Sequence, residues 1–206
     1  MSGKPSFCGG LLAAALLWSS GCSFNAGYNP AYLTRPVSLN IPGKSLVVMT
    51  VEDTGWNLAS KPTSFTGGAT TLTLPLGEIT RQIALKVFGA AFKEGADFKN
   101  SVDGAPSYRL IVQPKVANFS YAYNQLKNLG LAITPQVQLE LHIRLISPDG
   151  GVLLDKSFSS GLTEGTAYVV SGQPAEKVNH ILHQVLFKLM TDAALEAKGL
   201  LEKPAA

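Results

Sequence analysis

Three side chains near the carboxyl end of the chain have the types and spacing of a metal site. His180 and His183 are three residues apart on a predicted helix, and Glu176 comes one turn earlier on the same side. Two imidazoles and a carboxylate are ligands that a zinc ion accepts. However, the sequence has no His-Glu-x-x-His arrangement, and the remaining histidine, His142, falls on a predicted strand. Exposed polar positions on a helix are the commoner meaning of this spacing, so we predict no metal site and no cofactor.

Other catalytic signatures are missing from the sequence. Gly67-Gly68 is not followed by the lysine and helix start of a phosphate-binding loop, and no serine lies in a Gly-x-Ser-x-Gly elbow. Phe119, Tyr121 and Tyr123 alternate along a predicted strand, where their rings either stack on a ligand or pack in the core, and packing is commoner. The sequence therefore predicts a protein that is not an enzyme.

Cysteine is confined to the amino-terminal end. The chain of 206 residues contains two cysteines, Cys8 and Cys22, and none after them. The folded part can therefore hold neither a disulfide framework nor a thiolate metal site. A body without cysteine fits an oxidising compartment.

The first 21 residues have the order of an export signal. Lys4 supplies a positive charge, the apolar run Phe7–Trp18 follows, and the small residues Ser19–Gly21 precede Cys22. A membrane span needs about 20 apolar residues, so this run is too short to be an anchor by itself. We predict a signal peptide over residues 1–21 that is cleaved before Cys22.

Ser20-Gly21-Cys22 resembles the lipobox of bacterial lipoproteins. The resemblance implies a thioether between the Cys22 thiol and diacylglycerol, and acylation of the new amino terminus, with palmitate as the expected acyl chain. Members of this class usually carry Leu three positions before the cysteine, where this chain has Ser19. The alternative is an ordinary cleaved signal followed by a chance cysteine. Several acyl chains on one residue would give stable membrane attachment.

The residue after the cysteine bears on localisation. By the sorting habit of these lipoproteins, Ser23 rather than Asp at this position implies delivery to the outer membrane, on its periplasmic face. The inner membrane is the alternative.

Composition places the rest of the chain among ordinary globular domains. Apolar residues make up 46% and charged residues 15%, which suits one domain with a core of its own. The net charge is +3, and 17 basic residues are interspersed with 14 acidic ones. A nucleic-acid binder concentrates positive charge on one face. We therefore expect no nucleic-acid partner.

The distribution of prolines and apolar residues predicts the domain boundaries. Residues 22–42 comprise the lipidated cysteine and a segment with prolines and asparagines but little periodicity, which is typical of a flexible tether. A single domain follows over residues 43–199, with a tail over residues 200–206.

The order of elements predicts the fold class. The clearest strand covers residues 136–145, where apolar and polar residues alternate, and the turn Ser147–Gly151 leads to an antiparallel partner at Val152–Phe158. The other predicted elements are a strand at 44–53, a loop with or without a small hairpin at 54–73, a helix that starts at Pro75 and ends just before Gly95, a strand at 108–116 whose alternation continues through 119–123, a short strand at 168–170, and a helix from Pro174 to Gly199. We predict an α+β fold, a two-layer sandwich in which two helices pack on one face of a mostly antiparallel sheet.

Both predicted helices carry a second apolar stripe away from their core stripe. Leu85, Phe88 and Phe92 form it on the first helix, and Phe187 and Met190 on the last. Helices that lie side by side on the sheet would contact each other through these residues. Alternatively, the stripes form a surface that binds another protein or a second copy of this chain. These five residues are the candidate interaction surface.

The whole layout is similar to YajG-type envelope lipoproteins, and more distantly to LptE-type and ABC-transport auxiliary lipoproteins. The likeness depends on the order of elements and on Gly21-Cys22, so Cys22 is the one functional residue that it implies. We predict a membrane-anchored, non-enzymatic accessory subunit that binds a protein partner in an envelope assembly or transport system. Two alternatives stay open. One is a carrier or sensor of an apolar ligand. The other is a homo-oligomeric outer-membrane ring, which an open edge strand in the sheet would indicate.

Overall fold

The computed structural model of the protein describes residues 23–103, 107–125, 132–169 and 174–202. The predicted signal peptide over residues 1–21 and the predicted lipidation site Cys22 lie outside these ranges. Within them the strands are β1 (Ser23–Asn25), β2 (Ser45–Val48), β3 (Leu58–Ser60), β4 (Thr71–Leu74), β5 (Ala96–Lys99), β6 (Leu110–Asn124), β7 (Thr134–Ile146) and β8 (Val152–Glu164). The α-helices are α1 (Val51–Thr54), α2 (Leu76–Ala91) and α3 (Pro174–Leu201).

The described strands form two sheets. A large sheet has five strands in the order β5-β2-β6-β7-β8, and a small one has three in the order β1-β4-β3. In the large sheet β2 is parallel to both β5 and β6, whereas β6, β7 and β8 are antiparallel neighbours. The sheet is therefore mixed rather than mostly antiparallel as predicted. For β2 and β5 the reason is the connection through α2, because a strand-helix-strand crossover returns the chain in the direction of the first strand.

The main core lies between the large sheet and the two long helices. Helix α2 lies over β2, β5 and β6, α3 lies over β7 and β8, and the two helices also pack against each other. Ile83 on α2, Leu182 on α3 and Leu141 on β7 belong to this core and are all 0% exposed. The predicted α+β fold is confirmed. No helix in the described part of the chain is long and apolar enough to span a membrane.

Strand β7 behaves as its sequence pattern predicts. Its alternate apolar side chains are 0% exposed and face the helices: Val137, Leu139, Leu141, Ile143 and Leu145. The chain reverses after β7, where the Ser147 N–H donates to the Gly151 carbonyl over 2.8 Å, and β8 pairs antiparallel with β7. β8 continues to Glu164, beyond the predicted end at Phe158.

The start of the predicted domain differs from expectation in its detail. The strand predicted over residues 44–53 stops at Val48, and α1 follows, because the Thr50 hydroxyl accepts a hydrogen bond from the Asp53 N–H at 3.0 Å and caps that helix. The hairpin considered for residues 54–73 is present as β3 and β4.

Helix α2 begins as predicted and ends earlier. Pro75 stands at its amino-terminal cap, and the helix ends at Ala91 rather than beside Gly95. Phe92 turns into extended backbone and forms a parallel bridge with Ile41, which a longer helix would prevent. Strand β5, which follows Gly95, was not among the predicted elements.

The predicted flexible tether is wrong for residues 23–42. Ser23–Asn25 form β1, which pairs in parallel with β4, and Pro30–Tyr32 form a 3-10 turn. Leu39 and Ile41 are 8% and 4% exposed and belong to the core. The domain therefore already includes Ser23, rather than beginning at residue 43.

Candidate functional site: the amino-terminal strap and the Ser23 end

The second apolar stripes of α2 and α3 lie inside the domain. Phe88 and Met190 are 0% exposed, Phe92 is 3% exposed and Phe187 is 8% exposed. Leu85 is half-buried and packs against the same core. The prediction that these residues form an interaction surface is therefore wrong for the four buried ones. The two helices instead pack side by side, as the alternative expected. A further segment of the chain also packs over these apolar residues.

That further segment is the amino-terminal strap, residues 23–42, which runs along α3. At its far end the Ile41 N–H donates to the Ala91 carbonyl over 3.0 Å, and the Lys93 N–H donates to the Ile41 carbonyl over 2.9 Å. In its middle, Thr34 and Val37 border a cleft of about 360 Å³ together with Phe187. The strap therefore lies across apolar helix surface that the sequence assigned to a partner.

His183 on α3 holds the first half of the strap. The ring is 0% exposed, and its Nε2 lies 3.0 Å from the backbone N of Asn29. A backbone N–H can only donate, so Nε2 accepts and the ring proton resides on Nδ1. That nitrogen lies 2.8 Å from the Asn179 carbonyl and donates to it. The strap therefore requires a neutral His183.

The surroundings of His183 favour the neutral ring. Burial lowers its pKa below the ordinary value of 6.5. The hydrogen bond to the Asn179 carbonyl opposes this in part, and the neighbouring His180 adds to the lowering of the pKa. Protonation would direct a second N–H at the Asn29 amide, which is itself a donor, and would break the bond.

Two tyrosines of the strap enclose the same histidine. The Tyr28 ring stacks on His183 with centroids 5.6 Å apart, and the Tyr32 ring stands edge-on to it at 5.5 Å. The Tyr32 hydroxyl donates to Glu176 Oε1 over 2.8 Å, and the Asn179 side-chain amide donates to the Gly27 carbonyl over 2.8 Å. These contacts join the strap to the first three turns of α3 by polar and aromatic groups.

The same contacts decide the role of the three residues with zinc-like spacing. Both ring nitrogens of His183 are engaged, and Glu176 accepts from Tyr32. His180 stands edge-on to the Tyr32 ring at 4.7 Å. Within the described ranges no group of three or more His, Cys, Asp or Glu side chains is arranged to hold a metal ion. Glu176, His180 and His183 lie on one side of α3, and each of them contacts the strap there.

An open cleft of about 550 Å³ lies between the first part of the strap and the start of α3. It is bordered by strap residues from Ser23 to Tyr32 and by Ala175, Glu176 and Asn179 of the helix. The aromatic strand does not border it. Tyr121 and Tyr123, at 2% and 7% exposed, pack edge-to-face with centroids 5.7 Å apart, as the core alternative expects.

The Tyr121 hydroxyl also has a structural partner. It donates to the Ser60 carbonyl over 3.0 Å, and burial raises the pKa of Tyr121 to about 12. The aromatic strand thus gives no support to the apolar-ligand alternative.

We use the term Ser23 end for the part of the domain where β1 begins, comprising residues 23–25, 61–70 and 165–169. Ser23 lies opposite Thr71 in the parallel pair of β1 and β4, so residues 61–70, which precede β4, are at the same end as Ser23. Tyr168 forms an antiparallel bridge with Ile133, next to the start of β7. Burial raises the pKa of Tyr123, and the nearby Tyr168 raises it further.

An ordered loop at the Ser23 end exposes a phenylalanine. Phe65 is 103% exposed, the highest value among the large apolar side chains of the described ranges. The loop around it is nevertheless fastened to β6. The Thr63 N–H donates to the Tyr121 carbonyl over 2.8 Å, the Tyr123 N–H donates to the Ser64 hydroxyl over 2.9 Å, and the Thr66 hydroxyl donates to the Gln125 side chain over 3.1 Å.

The glycine after this phenylalanine allows a close approach. Gly67 has φ +78°, and a Cβ there would meet the Tyr123 ring at 2.9 Å, so a residue with a side chain would be strained. The loop therefore presents Phe65 from a fixed backbone.

Strand β8 forms one edge of the large sheet and pairs only with β7 among the described strands. Register shifts interrupt its pairing near both ends, which leaves Leu154–Ser159 regularly paired. A lysine that points outward is one way to protect an edge strand from pairing with another chain. Here Lys156 instead lies 2.5 Å from Glu196 on α3 and over the Phe158 ring.

Comparison with known proteins adds little to this geometry. No protein-family model and no curated protein matches the sequence. One similar solved structure is described as a homolog of neuraminyllactose-binding hemagglutinin from Helicobacter pylori, with 9% identity and a TM-score of 0.38 over 82% of this chain and 91% of that one. Another is a hypothetical protein from Chlamydia trachomatis, with 7% identity and a TM-score of 0.40 over 77% of this chain and 98% of that one. Likenesses at this level carry no inference about function.

Proposed function

We propose that the chain is an envelope lipoprotein, anchored through lipid on Cys22 to the periplasmic face of the outer membrane, that acts as a non-enzymatic accessory subunit binding a protein partner. The observation that carries the anchorage is the position of Cys22 in the chain. It directly follows a short apolar leader and small residues, and it directly precedes Ser23, the first residue of β1. A cleavage site at the boundary between leader and fold suits this order.

A pair of cysteine variants tests the anchorage. In Cys22→Ser cells we expect loss of palmitate labelling, and the protein should accumulate as uncleaved precursor or move to the soluble periplasmic fraction. Cys8→Ser is the matched control, because Cys8 lies inside the segment that cleavage would remove. That variant should be labelled and membrane-bound like the wild type. A Cys22→Ser protein that is still processed and still carries lipid would refute the proposal.

The accessory role draws its support from the edge strand rather than from the helices. Because the strap and the helices bury the second apolar stripes, the partner surface must lie elsewhere. β8 offers unpaired backbone groups over Leu154–Ser159, with its lysine turned toward α3. An added strand from another chain is a common way to use such an edge.

A homo-oligomeric ring is the second candidate, because the same open edge suits pairing between copies. Site-specific photo-cross-linking separates the two. A photoreactive residue replaces Ser157, which is exposed on β8, and in the control it replaces Lys188, which is exposed on α3. One stoichiometric foreign adduct from position 157 supports the accessory subunit, and a ladder of multiples of the chain supports the ring. If position 157 gives no more adduct than position 188, the edge is not an interface.

A further inference from the structure

The first step is the length of chain between the predicted lipid and the fold. Ser23 is paired with Thr71 in the small sheet. A few residues later the Asn29 N–H donates to His183 on α3, so the strap is held on both sides of β1's end. The Cα atoms of adjacent residues are about 3.8 Å apart, so Cys22 lies within that distance of a fixed point on the domain. A lipid on Cys22 would therefore bring the Ser23 end to the membrane surface.

The second step is the chemistry of that end. The segments 23–34, 62–70 and 165–169 contain no charged residue, whereas the exposed Lys61 of the Ser23 end and the exposed Glu164, which precedes Gly165, are charged. Placing the uncharged segments among lipid headgroups would therefore bury no charge, which is the largest cost of such a transfer, while Lys61 and Glu164 stay at the level of the polar headgroups. Lys44, which precedes β2, and Asp149, in the turn between β7 and β8, lie at the opposite end of the domain.

The third step is the exposed apolar side chains. Phe65 and Val169, at 103% and 66% exposed, both belong to the Ser23 end. The hydrogen bonds between the Phe65 loop and β6 hold the backbone of the loop in place, so Phe65 is exposed because of the fold. A phenylalanine on a rigid loop can enter the headgroup region without an ordering cost for the loop.

We propose that the Ser23 end is a membrane seat, in which Phe65 and Val169 insert into the lipid surface beside the anchor. This inference rests on the proposed lipidation of Cys22. The seat holds the domain in one orientation, with the β7–β8 turn pointing away from the bilayer. At about 3.3 Å per residue, the 13 residues of β7 span roughly 40 Å, so the far end of the β8 edge stands well into the periplasm.

Single-cysteine labelling tests the seat in the lipidated protein. Residues 23–206 contain no cysteine, so an introduced one is the only free thiol once Cys22 is modified. Phe65→Cys and Val169→Cys report on the seat. Val152→Cys, at a position 48% exposed at the far end of β8, is the matched control. Each protein carries an environment-sensitive fluorophore and is reconstituted in vesicles of phosphatidylethanolamine and phosphatidylglycerol.

We expect the probes at positions 65 and 169 to lose most of their emission to a lipid-borne quencher and to be shielded from aqueous iodide. The probe at position 152 should behave in the opposite way. If all three positions respond to iodide alone while mass spectrometry finds lipid on Cys22, the seat is refuted and the anchorage stands. If the protein without an introduced cysteine takes up the thiol reagent at Cys22, lipidation is absent, and the proposed function fails together with the seat.

Discussion

The backbone N–H of Asn29 donates to Nε2 of His183 over 3.0 Å and so joins two residues 154 positions apart in the chain. The bond ties the strap to the third turn of the last helix. Since Nε2 must be unprotonated to accept it, this bond depends on the protonation state of His183. The strap in turn covers apolar helix surface, so its attachment affects the stability of the whole domain.

His183→Ala should destabilise the protein by about 2–4 kcal/mol, because it leaves the Asn29 N–H unpaired in a part-buried site and removes a ring that packs on Tyr28 and Tyr32. Chemical denaturation of the mature domain measures this. The control is His180→Ala, where a half-buried ring contacts Tyr32 at the edge of the strap. Its loss should be about 1 kcal/mol or less. Equal losses in the two variants would mean that the bond to Asn29 does not hold the strap.

Stability should fall on acidification through His183. Because the folded state lowers the pKa of His183 below 6.5, the unfolded chain binds the proton more readily. The contribution of this residue is therefore fully present above its unfolded pKa, and it is lost as the pH falls toward the lower, folded pKa. Denaturation midpoints at about pH 7.5 and about pH 5 measure the change. His183→Gln, which cannot titrate, should show a smaller change between the two pH values. The same change in both proteins would assign the pH dependence to other groups.

Amide hydrogen exchange should find the strap protected. The Asn29 and Ile41 N–H groups donate to His183 and to the Ala91 carbonyl, so both should exchange far more slowly than in an unstructured peptide. In His183→Ala, protection should fall at Asn29 and persist at Ile41, which makes Ile41 an internal control. If both N–H groups in the wild type exchange as fast as in an unstructured peptide, residues 23–42 are a flexible tether, as the sequence predicted.

Phe88→Glu should unfold the domain, because a carboxylate would replace a ring that is 0% exposed in the core. Leu195→Glu, at a position 49% exposed on α3, should leave the fold intact and serves as the control. Circular dichroism and the elution volume in gel filtration report the outcome. A folded Phe88→Glu protein that has lost a partner would mean that the stripe is an interface after all.

The sequence predicts the fold wherever apolar residues recur at a regular spacing on one face of an element. Val137 to Leu145 alternate strictly, and the structure buries every apolar member of that series. Strand β5 has only four half-buried residues, too few to show a period. The parallel pairing of β2 with β5 and β6 depends on the connections between these strands, which alternation within a strand does not reveal.

The candidate site was harder to predict, because the strap is held by single contacts instead of a repeating face. Asn29 acts through its backbone N–H, and Tyr28 and Tyr32 each contact a ring on a distant helix. Such contacts leave no periodic signal, so the prolines and asparagines of residues 23–42 indicated a tether. The signal that was available was the surplus of apolar residues on α2 and α3. It correctly indicated that these residues are covered, and the packing of the two helices covers them together with this chain's own amino-terminal segment.

The most direct test of lipid anchorage next to the fold is the mass of the amino-terminal tryptic peptide of membrane-purified protein. Trypsin cleaves poorly between Arg35 and Pro36, so the expected peptide is Cys22–Lys44. It should begin at Cys22 and carry diacylglycerol on sulfur and a fatty acyl group on nitrogen. A peptide that begins at another residue, or one with an unmodified Cys22, would contradict anchorage at the first residue before β1.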